Sequence, residues 1–170
     1  RYEDETQLLA IRDASMRHGQ TVQVEGIVID CDVQYRPRRQ LVVKITDDSG
    51  DPLTLRFLNF YGSQATQMAV GRRLRVRGDM RHGFFGDEMV HPAVKAVDED
   101  TPLPDALTPV YPAGEGLSQA LLRKAIASAM TRIDWSDTLP SGLRERLKLM
   151  PFEPAVRLLH NPPPDVDENA

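Results

Sequence analysis

The 170-residue sequence has little cysteine and little aromatic residue content, and it has no long apolar run. Its single cysteine, Cys31, excludes an internal disulfide and a cysteine-rich zinc cluster, and it fits a reducing compartment. No apolar stretch approaches the ~20 residues of a membrane-spanning helix, and no signal peptide opens the chain, which begins at Arg1. We therefore expect a cytoplasmic protein without a membrane partner, and we interpret the chain as part of a longer protein.

The motifs that mark common catalytic sites are also absent. The sequence contains no G-x-x-x-x-G-K-[ST] phosphate loop, no H-E-x-x-H and no G-x-S-x-G. The four histidines (His18, His82, His91 and His160) lie in four separate segments without metal-ligand spacing, so we expect structural roles for them. We predict no catalytic residue, no metal and no cofactor for this chain.

Charge is distributed unevenly along the chain. The formal net charge is −4, which argues mildly against a nucleic-acid-binding protein. Residues 20–95, however, hold 11 Lys and Arg against 9 Asp and Glu, whereas the remaining residues hold 10 against 16. Because a polyanion responds to the local field rather than to the total charge, the basic middle of the chain is the candidate binding region.

Residues 20–98 show a series of alternating apolar patterns that predict five strands. The segments are "TVQVEGIVIDCDV", "QLVVKITD", "LTLRFLNF", "GRRLRVRGDM" and "DEMVHPAVKAV", with a short helical segment, "SQATQMAV", after the third. In the first strand the apolar alternation runs through Val22 and Val24 and then through Ile27, Ile29, Cys31 and Val33. This parity shift at Glu25–Gly26 predicts a glycine bulge that bends the strand. The class is therefore mainly β with appended α, and the pattern favours a five-stranded OB-fold, a Greek-key barrel, over other small barrels.

The other segments differ in composition from this barrel. Residues 1–19 form a polar lead-in, and residues 99–116 form a proline-rich linker. Residues 117–160 carry helical apolar stripes, and residues 161–170 form an acidic, proline-containing linker or tail. We predict an OB-fold domain at 20–98 followed by a short helical segment.

Two loops of the predicted barrel combine aromatic and basic residues. An OB-fold grips oligonucleotides with the loops that join its strands 1–2 and 4–5, here residues 34–40 and 81–87. The predicted base-stacking residues are Phe84, Phe85 and Tyr35. The predicted phosphate-binding residues are Arg36, Arg38, Arg39, Arg73, Arg75, Arg77 and Arg81. We expect the two loops to meet at one end of the barrel. Other interpretations stay open, since the arginines also suit a solvated surface and one phenylalanine also suits the barrel core.

The same segments resemble a known family. "VQVEGIVIDCDVQYRPRRQLVVKITDDSGDPLTLRFLNF", "GRRLRVRGDMRHGFFGDEMVHP", "LTPVYPAGEGLSQALLRKAI" and "AVRLLHNPPPD" are similar to consecutive blocks of the wedge domain and following segment of the RecG family. The opening "RYEDET" is similar to the lead-in of that wedge. These blocks are collinear over nearly the whole chain.

This resemblance implies a branch-point-binding domain of a bacterial ATP-dependent DNA helicase. The parent protein would act in recombination, DNA repair and reversal of replication forks, and its wedge would bind forks and Holliday junctions without reading their sequence. The resemblance places the junction contact on Phe84 and Phe85, with Tyr35 and Arg36–Arg39 in the companion loop. ATP and Mg²⁺ would belong to motor domains of the same chain, so this chain alone is expected to have no activity.

The resemblance also implies a bacterial, nucleoid-associated protein, and we expect a monomer. Two other functions fit an OB-fold and stay open at this point. One is a protein-interaction module, because the stripes of residues 117–160 suit docking of another domain. The other is a module that binds RNA.

Overall fold

The computed structural model describes residues 1–36, 38–84 and 86–165, and it confirms a mainly β chain with appended helices. The strands are β1 (Tyr2–Glu3), β2 (Thr21–Gln34), β3 (Gln40–Thr46), β4 (Pro52–Phe57), β5 (Arg73–Asp79), β6 (Arg81–Gly83), β7 (Gly86–Val90), β8 (Ala93–Ala96) and β9 (Thr108–Pro109). The helices are α1 (Ile11–Ala14), α2 (Gly62–Gln67), α3 (Gln119–Met130), α4 (Ser141–Arg146) and α5 (Phe152–His160). Among the described residues, no helix is both long enough and apolar enough to cross a membrane.

The chain divides into two compact units. The first is Gln7–Pro102, and the second combines Arg1–Thr6 with the described residues from Leu103 onward. The predicted lead-in of residues 1–19 is therefore shared between the two units. Leu9 belongs to the first unit, where its N–H donates to the carbonyl of Gln23 on β2.

A seven-stranded mixed sheet forms the first unit, in the order β6-β7-β4-β3-β2-β5-β8. Among the strand pairs that the described residues form in this sheet, β4–β7 is parallel and the others are antiparallel. The predicted fifth strand is two strands, β7 and β8, which His91 and Pro92 separate. His91 has a positive φ of 52° and Pro92 has no N–H to donate, so the chain leaves β4 here and continues beside β5. This architecture is OB-like, although in the described part of the chain β6 and β8 remain the two ends of the sheet.

Alternating apolar side chains build the core of this unit, as the sequence predicts. Each of the strands β3, β4 and β5 turns every second side chain inward. These inward residues are Leu41, Val43, Ile45, Leu53, Leu55, Phe57, Leu74 and Val76, all buried. The core side chains therefore follow the strand period, although Val42, Thr54 and Arg75 on the other face are buried as well.

The first long strand, β2, differs from the prediction. Val22, Val24 and Val28 are buried, whereas Ile27 and Ile29 are 41% and 48% exposed. The register of β2 against β3 shifts between Val28 and Asp30, three residues later than the predicted bulge. The predicted position of the bulge at Gly26 is therefore wrong and both isoleucines are partly exposed, whereas Cys31 and Val33, the next residues of the predicted alternation, do pack against the core.

Gly26 has a different role in β2. A Cβ at this position would lie 2.8 Å from the backbone oxygen of Thr46, a distance that real Cβ contacts essentially never show. The missing side chain permits β2 and β3 to approach closely at this point. This close approach accounts for a glycine in the interior of a strand.

The second unit pairs its own N-terminal segment with a later strand. Strands β1 and β9 form a two-stranded sheet, in which Tyr2 lies opposite Pro109. Helices α3, α4 and α5 all lie within the segment 117–160 that the sequence predicts to be helical. Ser118 caps α3, because its hydroxyl oxygen accepts a hydrogen bond from the N–H of Leu121.

Candidate nucleic-acid interface

The β6–β7 hairpin presents an aromatic side chain at its tip. Gly83 lies opposite Gly86, and Gly86 has the positive φ (99°) that favours glycine. Phe84, which follows Gly83, is 92% exposed. Phe85, the other predicted stacking residue of this loop, lies outside the described residues. The structure therefore places Phe84 at the surface, as predicted.

Gly83 also makes room for a buried carboxylate. A Cβ on Gly83 would overlap the side chain of Glu88, which lies across the hairpin on β7 and is only 6% exposed. Glu88 in turn lies 3.1 Å from the guanidinium of Arg56 on β4. The hairpin that carries Phe84 is thus fixed to the body of the sheet by an ion pair at its base.

Charged groups surround the Phe84 tip. Arg81 and His82 on β6 are exposed, and Asp87 on β7 is half-buried. Partial burial by itself would raise the pKa of Asp87, but hydrogen bonds to His18 and His82 outweigh it and lower the pKa below its usual value. Arg81 adds an exposed guanidinium on β6, three residues before Phe84.

The β2–β3 turn forms a second surface with the same chemistry. Tyr35 is 71% exposed, and Arg36, Arg38 and Arg39 are exposed around it. The guanidinium of Arg39 lies 4.2 Å from the centre of the Phe60 ring, a cation–π contact that restricts this arginine. Arg36 and Arg38 project from the turn next to Tyr35.

The three arginines of β5 are partly used inside the fold. Arg75 is 7% exposed, and its guanidinium donates to the Glu25 carboxylate and to the carbonyls of Thr101 and Pro102. Arg73 pairs with the same carboxylate at 3.4 Å, and Arg77 is half-buried. The expectation that all three face solvent does not hold, because Glu25 lies opposite Arg75 in the β2–β5 register. Arg75 is therefore left out of the proposed interface.

The two turns do not meet at one end of the sheet, contrary to the sequence-based expectation. Phe57 at the end of β4 lies opposite Leu41, beside the β2–β3 turn. Strand β7 runs parallel to β4 with Glu88 opposite Thr54, so Gly86 is level with Pro52 at the other end of β4. About 17 Å of strand separates these two levels, at ~3.3 Å per residue.

A polar network connects the two turns across the sheet. The amide nitrogen of Gln40 donates to the side-chain oxygen of Gln34, and the Gln40 oxygen accepts from the Arg56 guanidinium at 3.0 Å. Arg56 then pairs with Glu88, as described above. Sequence analysis missed these four residues. The signal available in the sequence was the presence of polar side chains at strand positions. An ordinary solvated surface would leave such side chains exposed, whereas Gln40 is 3% exposed.

These features define the class of protein. An OB-like sheet that exposes an aromatic side chain and arginines at its turns is a domain type suited to single strands and branched nucleic acid. The chain belongs to the RecG wedge domain family, whose sequence profile matches residues 1–133. The resemblance on which the sequence analysis relied is thereby confirmed.

Full-length relatives carry the same family name. The chain is 39% identical over 169 residues to the ATP-dependent DNA helicase RecG of Escherichia coli (strain K12), covering 96% of this chain and 24% of the relative. It is 33% identical to the RecG helicase of Pasteurella multocida over 177 residues, covering all of this chain and 24% of the relative. The chain thus spans about a quarter of the length of these curated relatives.

A solved structure supports the fold. The structure of RecG bound to a three-way DNA junction matches with a TM-score of 0.73 at 20% identity, covering 96% of this chain and 22% of that chain. The likeness shows that the sheet and the helices share one architecture with that protein.

Proposed function

We propose that this chain binds branched DNA, as the wedge of an ATP-dependent helicase that acts in recombination, repair and reversal of replication forks. The family and the relatives support the helicase parent. A solved RecG structure with the same fold is bound to a three-way junction. The observation that carries the proposal is the 92% exposed ring of Phe84 at the tip of the β6–β7 hairpin, which also carries the exposed Arg81.

Exposure of this ring has a physical reason in the proposed role. An exposed phenylalanine lacks the stabilisation that burial of its apolar surface would give. A partner that covers the ring in a complex would supply it. A base at the branch point is such a partner, because stacking on an aromatic side chain contributes about 1–3 kcal/mol per base. Such stacking tolerates every base, so the proposed wedge recognises the branch and ignores the sequence.

The arginines supply the complementary contact to phosphate. Arg81 lies near the Phe84 tip, and Arg36 and Arg38 lie at the Tyr35 turn. Contacts to phosphate position a protein on DNA without reading bases. Because the two turns lie at opposite ends of β4, we propose that they contact separate arms of a junction, with the Phe84 tip at the branch point.

The motor functions are proposed for other parts of the parent. ATP and Mg²⁺ would be held there, since this sequence has no phosphate loop. The second unit, which carries α3, α4 and α5 and is called the helical unit below, is proposed to pack on those motor domains. It exposes large apolar side chains that a partner domain would cover, namely Leu117, Leu121, Leu147, Leu149, Met150, Phe152 and Leu159.

Binding measurements on four labelled nucleic acids test the proposal. Fluorescence anisotropy would compare a three-way junction, a linear duplex, a single DNA strand and a single RNA strand of matched length, at one stated salt concentration. The proposal requires tightest binding to the junction and no release of phosphate from ATP. Preference for the RNA strand would indicate an RNA-binding module. Failure to bind any of them at moderate salt would favour a protein-interaction module.

A further inference from the structure

Two histidines and one aspartate from distant parts of the sequence meet at the base of the Phe84 hairpin. His18 follows α1, His82 lies on β6, and Asp87 lies on β7. His82 and Asp87 are opposite each other, one pair below the Gly83–Gly86 turn. Spacing along the sequence shows no ligand pattern among the histidines, but the fold brings His18 and His82 together with Asp87.

Backbone hydrogen bonds hold His18 against the hairpin. The N–H of Gly19 donates to the carbonyl of Met80 at 2.8 Å, and the N–H of Met80 donates to the carbonyl of Gln20 at 3.0 Å. This reciprocal pair aligns the residues on both sides, so that His18 lies beside His82 with ring centres 5.8 Å apart. The two side chains are therefore brought together by the main chain rather than by chance contact at the surface.

The donor atoms have a spacing that suits a metal ion. His18 Nε2 lies 2.9 Å from Asp87 Oδ1, His82 Nδ1 lies 3.4 Å from the same oxygen, and all three ligand atoms lie within 4.8 Å of one another. Tetrahedral zinc with bonds of about 2.0–2.1 Å places its ligand atoms about 3.3 Å apart. Small rotations of the two imidazoles, whose side chains are 46% and 73% exposed, would complete this geometry.

We propose that His18, His82 and Asp87 form a binding site for a divalent transition-metal ion, with Zn²⁺ the ion that fits best. Two imidazole nitrogens and one carboxylate oxygen are ligands that zinc accepts, and three protein ligands leave a fourth position open to solvent. The bound ion would connect the segment before β2 to the hairpin that carries Phe84. The proposal concerns metal binding alone and does not depend on whether the chain binds DNA.

Hydrogen bonding of both imidazoles to the Asp87 carboxylate also accounts for the positions of the three side chains without an ion. A direct binding experiment separates these two possibilities.

Titration of the untagged chain with Co²⁺ at pH 7.5 tests the site, because visible absorption of Co²⁺ reports tetrahedral coordination by nitrogen and oxygen. We expect one Co²⁺ per chain, displaced by Zn²⁺. His18→Ala and Asp87→Asn should each weaken binding by about tenfold or more. His160→Ala, which changes a histidine of the other unit, is the matched control and should leave binding unchanged.

Two results would overturn the proposal. One is a wild-type chain that shows no 1:1 binding of Co²⁺ or Zn²⁺ by calorimetry. The other is binding that His18→Ala leaves intact, which would place the ion elsewhere. Circular dichroism of each variant excludes loss of fold as the cause, and His18→Gln repeats the test with a side chain of similar size. Slower amide hydrogen exchange at residues 81–84 on addition of Zn²⁺ would show that the ion restrains the hairpin.

Discussion

Arg56 joins two strands that lie on either side of its own. Its guanidinium lies 3.0 Å from the side-chain oxygen of Gln40 on β3 and 3.1 Å from the carboxylate of Glu88 on β7. Gln40 continues the network to Gln34 at the β2–β3 turn, and Glu88 lies under Gly83 of the hairpin. Side-chain hydrogen bonds of Arg56 therefore link the strand ends beside the Tyr35 turn to the base of the Phe84 hairpin, in addition to the backbone pairing of β3, β4 and β7.

Arg56→Ala should destabilise the first unit by about 3 kcal/mol. The change leaves the Glu88 carboxylate buried without its partner, and breaking a buried pair costs ~3–5 kcal/mol. The lower end of this energy range applies because the Arg56 side chain is 26% exposed. Urea unfolding monitored by circular dichroism measures this loss.

A matched control for Arg56 is Arg12→Ala. Arg12 also pairs with a carboxylate, that of Asp51, but both side chains are about half exposed. Exposed ion pairs contribute little to stability, so this variant should unfold nearly as the wild type does. Equal losses in the two variants would contradict the structural role assigned to Arg56.

Phe84→Ala should weaken binding to a three-way junction by about 5- to 150-fold. This range corresponds to the ~1–3 kcal/mol of one base–aromatic contact. Affinity for a linear duplex should change much less, since a closed duplex offers no splayed base. Anisotropy titrations on both substrates measure the difference. Val70→Ala, at another exposed apolar side chain, is the control and should affect neither substrate. An equal loss on junction and duplex would rule out stacking at the branch.

Arg36→Ala combined with Arg38→Ala should flatten the salt dependence of DNA binding. Each lost phosphate contact reduces the log–log slope by up to about 0.9 on duplex DNA, because fewer counterions are released. The slope is obtained from titrations at several salt concentrations. Arg132→Ala removes an exposed arginine of the helical unit and should leave the slope unchanged. If the double variant has the wild-type slope, the two arginines do not contact phosphate and contribute to solubility alone.

Asp137→Asn should destabilise the helical unit at neutral pH but not in strong acid. The N–H of Leu139 and the guanidinium of Arg144 donate to this carboxylate and lower its pKa in the folded chain. A lowered folded-state pKa stabilises the fold above the unfolded value, about 3.9, and this stabilisation is lost as the pH falls through the folded pKa. Thermal unfolding of wild type and variant across pH 2–7 measures the difference. A difference that is independent of pH would contradict the electrostatic origin.

Alternation of apolar residues was sufficient to predict most of the sheet. Leu53, Leu55 and Phe57 are inward because a strand places every second side chain on the same face. The pattern failed in β2, where Val24, Gly26 and Val28 compete with Ile27 and Ile29 for the inward positions. Apolar residues of both parities occur there, so only the register against β3 decides which face is buried.

The sequence by itself determined the strand periodicity, the family and a loop that carries two phenylalanines between Gly83 and Gly86, because these depend on neighbouring residues along the chain. The tertiary structure decided that Arg75 is buried against Glu25, that the two turns lie at opposite ends of β4, and that His18 meets His82 and Asp87. Each of these depends on which strands lie side by side and in which register. Hydrogen bonding between segments far apart in sequence sets that register, and no local pattern encodes it.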